Sequence, residues 1–395
     1  MTEGACPPRV ALFADSYAEA NGIARLTRAL EADARCRNRP FLCIHGGTQT
    51  RLVAEGSVER LELRRSHAAF AIDHDLAFDP LMWRHYRAVR QTLASFQPAI
   101  VHITGPSDVG QLGALLGHRL GIPIVGSWHT NLHQYAARRF SKWCRWMPAP
   151  SRQQLLAAIE RRALWATLQF YRIPRVLMAP NAGLVDLLGR RTGKPTFLMR
   201  HGVDTDTFSP RQRTHDGRTL CVGFVGRLAA EKNVRVIAAL QRSLEAAGTH
   251  CHFVIIGDGA EREWLQHAMP MAEFRGVQHG RELARDYANF DLFVFPSPTE
   301  TFGLAVLEAM ASGVAVLAMA EGGPGFFVEH AVSGWLVSGD AAFIEAGVML
   351  ARDRALRARL GAAARASSLG WSWEAVTDEL YTRYAQVLAP AVSVA

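Results

Sequence analysis

The sequence predicts an α/β protein with two doubly wound parallel-sheet domains facing across a cleft. Three observations carry this. Short apolar runs such as Val10-Ala11-Leu12-Phe13-Ala14 and Leu292-Phe293-Val294-Phe295 alternate with helical stretches, the pattern of strands buried on both faces. The series is interrupted once, by a turn-rich and then polar passage at 199–218, and resumes. The unusual polar and glycine residues follow the apolar runs, at the carboxyl ends of strands, where open α/β sheets bind ligands. At 395 residues the chain is long enough for two domains.

The first domain is expected at 1–198. Its opening strand, Val10 to Ala14, is followed by residues 15–21, and Gly22 opens a helix to about residue 34. Phe41-Leu42-Cys43-Ile44 reads as a strand that ends in the turn His45-Gly46-Gly47. Strands at 99–103 and 122–126 flank a helix at 106–120, and 176–179 is another strand. Met199-Arg200-His201-Gly202-Val203-Asp204 begins the passage to the second domain, expected at 199–370, with a polar linker at 211–218. Further strands fall at 220–225, 252–256, 292–295 and 314–318, and a C-terminal helix is expected within 371–395.

The second domain is organised around Thr299-Glu300-Thr301-Phe302-Gly303-Leu304-Ala305-Val306-Leu307-Glu308. Pro296, Ser297 and Pro298 break the preceding strand. A helix is expected from Gly303 to Ser312, with Gly313 just past its end. Glu300 then lies at the mouth of the loop and Glu308 about two turns into the helix. Their carboxylates would be about 10 Å apart, the distance from the hexose to the ribose of a nucleotide sugar. The amides of Phe302, Gly303 and Leu304 point from a helix N-terminus, a site for a phosphate or sugar oxygen. The plainer alternative is a Glu favoured by the helix dipole and a second on a solvated face. Against it, Glu308 is the only charged residue from 301 to 320.

Gly226-Arg227-Leu228-Ala229-Ala230-Glu231-Lys232 is the second signal. Two cations near a helix start could neutralise a diphosphate and stabilise it as it leaves. The alternative is a surface pair with Glu231 as partner. There is no Walker loop and no GxGxxG, which argues against a P-loop nucleoside triphosphatase and a dinucleotide oxidoreductase.

His129 and His133 share the spacing of a helical metal pair, but no adjacent Glu and no third ligand accompany them. His129 reads instead as a hydrogen-bond partner to a sugar. Asp204-Thr205-Asp206 is formally a DxD but reads as a turn, so no metal site is assigned. Gly322-Gly323-Pro324-Gly325 is a turn that lets backbone approach a ligand, or a simple turn. In residues 135–148, Arg138, Arg139, Lys142, Trp143, Arg145 and Trp146 occur together. Basic residues interleaved with Trp suit an anionic membrane interface; nucleic-acid phosphates and an ordinary basic surface are the alternatives. No nucleic-acid-binding motif supports the second.

A net charge of +8 fits an anionic ligand or membrane surface without choosing between them. The six cysteines are scattered with no CxxC, and are expected to be reduced core thiols of a cytoplasmic protein. The first eight residues have neither a basic nor an apolar segment, so no signal peptide is expected, and no transmembrane span is evident.

Glu300 and Glu308 match the E-x7-E pattern of the retaining glycosyltransferases with two Rossmann-like domains, the GT-B architecture. The resemblance covers nearly the whole chain. Phe13-Ala14-Asp15-Ser16-Tyr17 with Asn21-Gly22-Ile23-Ala24-Arg25 is similar to the family's first strand and glycine loop. Ser127-Trp128-His129-Thr130-Asn131 resembles its acceptor-side histidine stretch. His201-Gly202-Val203-Asp204 through Phe208-Ser209-Pro210 resembles its passage into the second domain. Gly226-Arg227-Leu228 with Glu231-Lys232-Asn233 resembles its diphosphate-binding stretch, and Trp371-Ser372-Trp373 the start of a helix that returns to the first domain.

The resemblance implies that Glu300 contacts the donor hexose and Glu308 the ribose. Arg227 and Lys232 would hold the diphosphate, the amides of Phe302, Gly303 and Leu304 would seat sugar and phosphate, and Gly22 would let the first domain approach the diphosphate. His129 would contact the sugar near the reacting carbon; His129 and Glu300 are the catalytic candidates. No cofactor or metal is implied beyond a nucleotide-sugar co-substrate, GDP-mannose or a UDP-hexose. His129-Thr130-Asn131-Leu132-His133-Gln134-Tyr135 is most similar to bacterial enzymes that transfer mannose or glucose to lipid-linked acceptors. This implies a glycan or lipid-linked acceptor at the inner face of a membrane. The competing readings are a soluble-acceptor transferase or nucleotide-sugar epimerase on the same architecture, and an inactive nucleotide-sugar-binding protein. Intact Arg227, Lys232, Glu300, Glu308 and His129 count against the last.

Overall fold

The computed structural model describes residues 7–19, 22–73, 76–129, 149–214, 217–300 and 302–389. It divides into two compact units, residues 1–200 with 376–395, and residues 201–375.

The first unit holds an eight-stranded sheet in the order β10-β9-β8-β7-β1-β2-β4-β3. Its strands are β1 Val10–Ala14, β2 Phe41–Gly47, β3 Arg51–Glu55, β4 Val58–Arg64, β7 Ile100–Ile103, β8 Ile124–Ser127, β9 Val176–Ala179 and β10 Thr196–Leu198; β5 Phe70–Asp73 and β6 Leu76–Phe78 form a separate ribbon. All pairings in the large sheet are parallel except β3 with β4. Its helices are α1 Gly22–Cys36, α2 Tyr86–Phe96, α3 Asp108–Arg119, α4 Ala149–Phe170 and α5 Ala182–Thr192. Phe13, Ile44, Ile103 and Leu112 are fully buried between sheet and helices. Ser107 caps α3 through Gly110 N at 3.0 Å, and Asn181 caps α5 through Leu184 N at 2.9 Å, satisfying amides that the first turns leave open.

The second unit holds six parallel strands in the order β13-β12-β11-β14-β15-β16. These are β11 Leu220–Val225, β12 Cys251–Ile256, β13 Glu273–Gly276, β14 Leu292–Phe295, β15 Ala315–Met319 and β16 Trp335–Val337. The helices are α6 Arg235–Ala246, α7 Arg262–Ala268, α8 Gly280–Asn289, α9 Leu304–Ala311, α10 Asp340–Arg352 and α11 Arg354–Ser368. Phe224, Phe293, Leu307 and Phe343 anchor its core. Helix α12, Trp373–Leu388, starts in this unit and continues in the first. There Thr377 Oγ1 donates to Asp33 Oδ1 at 2.9 Å, and Arg39 pairs with Asp378 at 2.8 Å.

Several sequence expectations change. Strand β2 continues through Gly46 and Gly47, paired with Leu63 and Arg64 of β4, where a turn was expected. The β3–β4 hairpin, β10, β13 and β16 were not anticipated; they are short or polar and lie toward the sheet margins. The polar stretch after 210 is docked rather than a free linker. Arg213 donates to the carbonyls of Ala288 and Phe290 at 3.2 and 3.1 Å and pairs with Asp291 at 2.6 Å. Cys43 and Cys221 are buried and Cys251 is half-buried, but Cys36 is exposed at the last turn of α1; Cys6 and Cys144 lie outside the described residues. Among the described residues no helix is long and apolar enough to cross a membrane.

Candidate active site

In the second sheet β11 lies between β12 and β14, so the strand order switches direction beside β11 and β14. The loops after these two strands therefore meet at the switch point, where open α/β sheets bind ligands. The loop after β11 carries Arg227 and, in a 3-10 turn at Ala230–Lys232, Lys232. The loop after β14 carries Glu300. Thr299 Oγ1 donates to Glu231 O at 3.2 Å, and Lys232 Nζ donates to Glu300 Oε1. Both side chains of that pair are largely buried. Arg227 instead pairs with Glu231 at 3.2 Å and stays half-exposed. The basic stretch is thus divided: one cation turns to Glu300, the other to its own helical neighbour. The loop after β12 joins them, because Leu228 N donates to Asp258 O and Glu261 N to Leu228 O, both at 2.8 Å.

Helix α9 begins at Leu304, not Gly303. Gly303 has φ 97° and ψ 55°, a left-handed conformation that cannot continue into a helix, and an added Cβ would lie 3.0 Å from Pro324 Cγ. Glu308 stands four residues, little more than one turn, beyond Leu304, so the expected depth of about two turns was too great. Val306 N and Leu307 N donate to Gly303 O at 3.0 and 3.3 Å, so the amides of Leu304 and Ala305 are the ones that precede the first intrahelical bond. Glu308 is 5% exposed and accepts a hydrogen bond from Tyr287 Oη at 2.9 Å, so it is not on a solvated face. The Phe302 side chain is buried in the core. Its ring is packed on Phe327 and His201, both at 4.9 Å between centroids, and on Trp371. Burial pushes the His201 imidazole down to about 4, so this cluster carries no charge at neutral pH.

The turn at Gly322–Gly325 packs on the Glu300 loop. Gly323 N donates to Glu300 O at 2.8 Å, and a Cβ on Gly322 would lie 3.1 Å from Glu300 N and O. Asp204 accepts from the amides of Asp206 and Thr207 at 3.1 and 2.9 Å, so the DxD is a side-chain-stabilised turn. Among the described residues no group of three His, Cys, Asp or Glu is arranged to hold a metal ion.

The first unit has its own switch point, at β1 between β2 and β7. Asp15 N donates to Thr104 Oγ1 at 2.9 Å, and Ser107 Oγ donates to Asp15 Oδ1 at 2.5 Å. Burial pushes the Asp15 carboxyl up to about 6. His129, 7% exposed after β8, has Nε2 at 2.7 Å from Ser127 Oγ. Gly22 opens α1.

Known proteins decide what this arrangement belongs to. Residues 47–207 match the model of Glycosyltransferase Family 4, and residues 219–353 that of Glycosyl transferases group 1. The chain is 32% identical over 397 residues to a GDP-mannose-dependent alpha-mannosyltransferase of Mycobacterium tuberculosis, covering 97% of each chain. This chain belongs to the GT-B glycosyltransferases. The sucrose-phosphate synthase of Thermosynechococcus elongatus has the same fold, with a TM-score of 0.73 at 18% identity over 96% of this chain and 99% of that one. So does the Anabaena protein HepE in complex with UDP-glucose, with a TM-score of 0.64 at 16% identity over 95% and 99%.

In this glycosyltransferase, Lys232, Glu300 and the start of α9 come together in one unit, while Gly22 and His129 belong to the other. Arg138, Arg139, Lys142, Trp143, Arg145 and Trp146, with Thr130 to Tyr135, lie outside the described residues. Sequence reasoning did not single out two groups, Asp15 after β1 and Tyr287 on α8. Asp15 carried a usable signal, a carboxylate directly after an apolar strand. Tyr287 carried none, because its contact with Glu308 spans 21 residues and depends on α8 packing against α9.

Proposed function

We propose that this glycosyltransferase moves mannose from GDP-mannose, with retention of anomeric configuration and without a metal ion, to a hydroxyl of a lipid-linked acceptor. The geometric observation behind this reading is the Lys232–Glu300 pair at the switch point of the second sheet. It sets an ammonium beside the carboxylate read as the sugar contact. Lys232 has three donors, enough to bond both Glu300 and a phosphate oxygen, and Arg227 supplies a second cation for the diphosphate. Glu300 accepts from the hexose hydroxyls, Glu308 from the ribose, and the amides at the start of α9 from phosphate or sugar oxygens. The acceptor oxygen attacks the anomeric carbon on the face the diphosphate leaves, and the departing phosphate takes its proton. Arg227 and Lys232 stabilise the charge that develops there, the role a divalent ion plays in other transferases. Mannose and the guanine base are favoured by the full-length similarity to a GDP-mannose-dependent enzyme.

Thermal shift with GDP-mannose, UDP-glucose, UDP-galactose, UDP-N-acetylglucosamine, GDP and UDP is the direct test. A ligand at 100 times its Kd adds about 2.7 kcal/mol of stability. GDP-mannose and GDP are expected to shift the melting temperature and the uridine nucleotides not to. Transfer of labelled mannose to a lipid extract should then proceed unchanged in EDTA. A shift with UDP-sugars alone would overturn the donor assignment.

The lipid acceptor is supported by Arg138, Arg139, Lys142 and Arg145 interleaved with Trp143 and Trp146. Each basic residue near an anionic surface is worth about 1 kcal/mol. Changing the four together to Ser is expected to abolish sedimentation with anionic vesicles. Undiminished binding would remove this segment from the membrane contact.

A further inference from the structure

We propose that Tyr384, His102 and Ser127 form a buried, proton-ordered chain that holds His129 in its Nδ1–H tautomer, making them positioning residues for the transfer reaction. Its catalytic consequence rests on the reading of His129 as a contact of the donor sugar. The tautomer itself does not.

The chain runs from α12 through β7 to the end of β8. Tyr384 Oη lies 2.6 Å from His102 Nδ1, His102 Nε2 lies 2.9 Å from Ser127 Oγ, and Ser127 Oγ lies 2.7 Å from His129 Nε2. Tyr384, His102 and Ser127 are all fully buried. Tyr171 Oη donates to Ser127 O at 2.9 Å, which holds the Ser127 backbone in place.

The direction of the protons follows from satisfying the buried donors of Tyr384, His102 and Ser127. Burial raises the Tyr384 phenol far above its usual range, so it keeps its proton. Among the described residues that proton has one hydrogen-bonding partner, His102 Nδ1. Burial also pushes His102 down to about 3, so its ring is neutral and carries a single N–H. With Nδ1 accepting from Tyr384, that N–H is on Nε2 and donates to Ser127 Oγ. The Ser127 proton then has two acceptors: His129 Nε2 at 2.7 Å and Ile103 O at 3.4 Å. If His129 Nε2–H donated instead, the Ser127 proton would keep only the 3.4 Å contact, beyond the ordinary O–H···O range, so the proton goes to His129. With Nε2 accepting, a neutral His129 carries its proton on Nδ1 and presents that nitrogen as a donor. In the reverse order His102 Nδ1–H would donate to the phenol oxygen and leave the phenol proton buried without an acceptor. That penalty disfavours it by about tenfold or more.

The test is ¹⁵N NMR of the full chain labelled at histidine, at about pH 8.5, above the usual imidazole range. A His129→Asn spectrum assigns the His129 signals by their loss. The expected result is a protonated Nδ1 and a bare Nε2; a protonated Nε2 with a bare Nδ1 overturns the proposal. In Ser127→Ala the His129 tautomer should relax to a mixture. An unchanged Nδ1–H form would show that Ser127 does not set it. Tyr384→Phe keeps the ring and its packing, and serves if the serine variant fails to fold. It too should mix the tautomers. Its kcat should fall about 2- to 10-fold with donor KM unchanged. An unmoved kcat alongside a mixed tautomer would overturn the positioning role.

Discussion

Lys232→Ala is expected to lower kcat about 10²- to 10³-fold, the effect of removing one preorganised group from the charge that develops on a leaving oxygen. The larger loss should fall on kcat rather than on donor KM, because the diphosphate gains charge as the glycosidic bond breaks. The variant also removes the cation that Glu300 holds. Glu300 would then be left largely buried without its partner, so part of the effect belongs to that carboxylate. Lys232→Arg retains the charge and should recover part of the rate, while Lys232→Ala combined with Glu300→Gln separates the pair from the individual groups. If the pair merely stabilised the fold, Lys232→Ala would lower the melting temperature and leave kcat within threefold of the wild type. That outcome would remove Lys232 from the chemistry.

Glu308→Ala is expected to weaken donor binding by about 1.5–3 kcal/mol, the worth of a hydrogen bond to a charged group, or about 10- to 150-fold in Kd. GDP should lose as much as GDP-mannose, because the contact assigned to Glu308 is with the ribose they share. The same variant leaves Tyr287 Oη buried without the acceptor it now has, and stability should fall as well. Glu308→Gln resolves the two effects. Its amide oxygen can still accept from Tyr287, so the fold should keep most of its stability while donor affinity drops. Isothermal titration with GDP is the measurement. Wild-type affinity in both variants would show that Glu308 is a structural partner of Tyr287 and no more.

What was legible in the sequence was local. Apolar runs of strand length showed β1, β9, β11 and β14 at their observed limits, because a strand buried on both faces must be apolar throughout. The β3–β4 hairpin was not legible. Its strands are polar and mostly exposed along β3, so they carry no such run. The helix after Glu300 was anticipated one residue early, because periodicity cannot see that Gly303 is left-handed. That residue matters, since it brings Glu308 nearer the start of the helix.

The sequence by itself determined the α/β class, the sheet-forming runs and the spacing of Arg227, Lys232, Glu300 and Glu308 along the chain. Those properties depend on residues within a few turns of each other. Only the tertiary structure decided which charge meets which. Lys232 turns to Glu300, 68 residues away, and Arg227 to Glu231, four residues away, because the strand order makes β11 and β14 neighbours. In the same way the order of β1, β7 and β8, with α12 returning to the first unit, joins Tyr384 to His102 across 282 residues. Periodicity and spacing report the face a side chain occupies. A partner distant in sequence is set by packing, which no local pattern encodes.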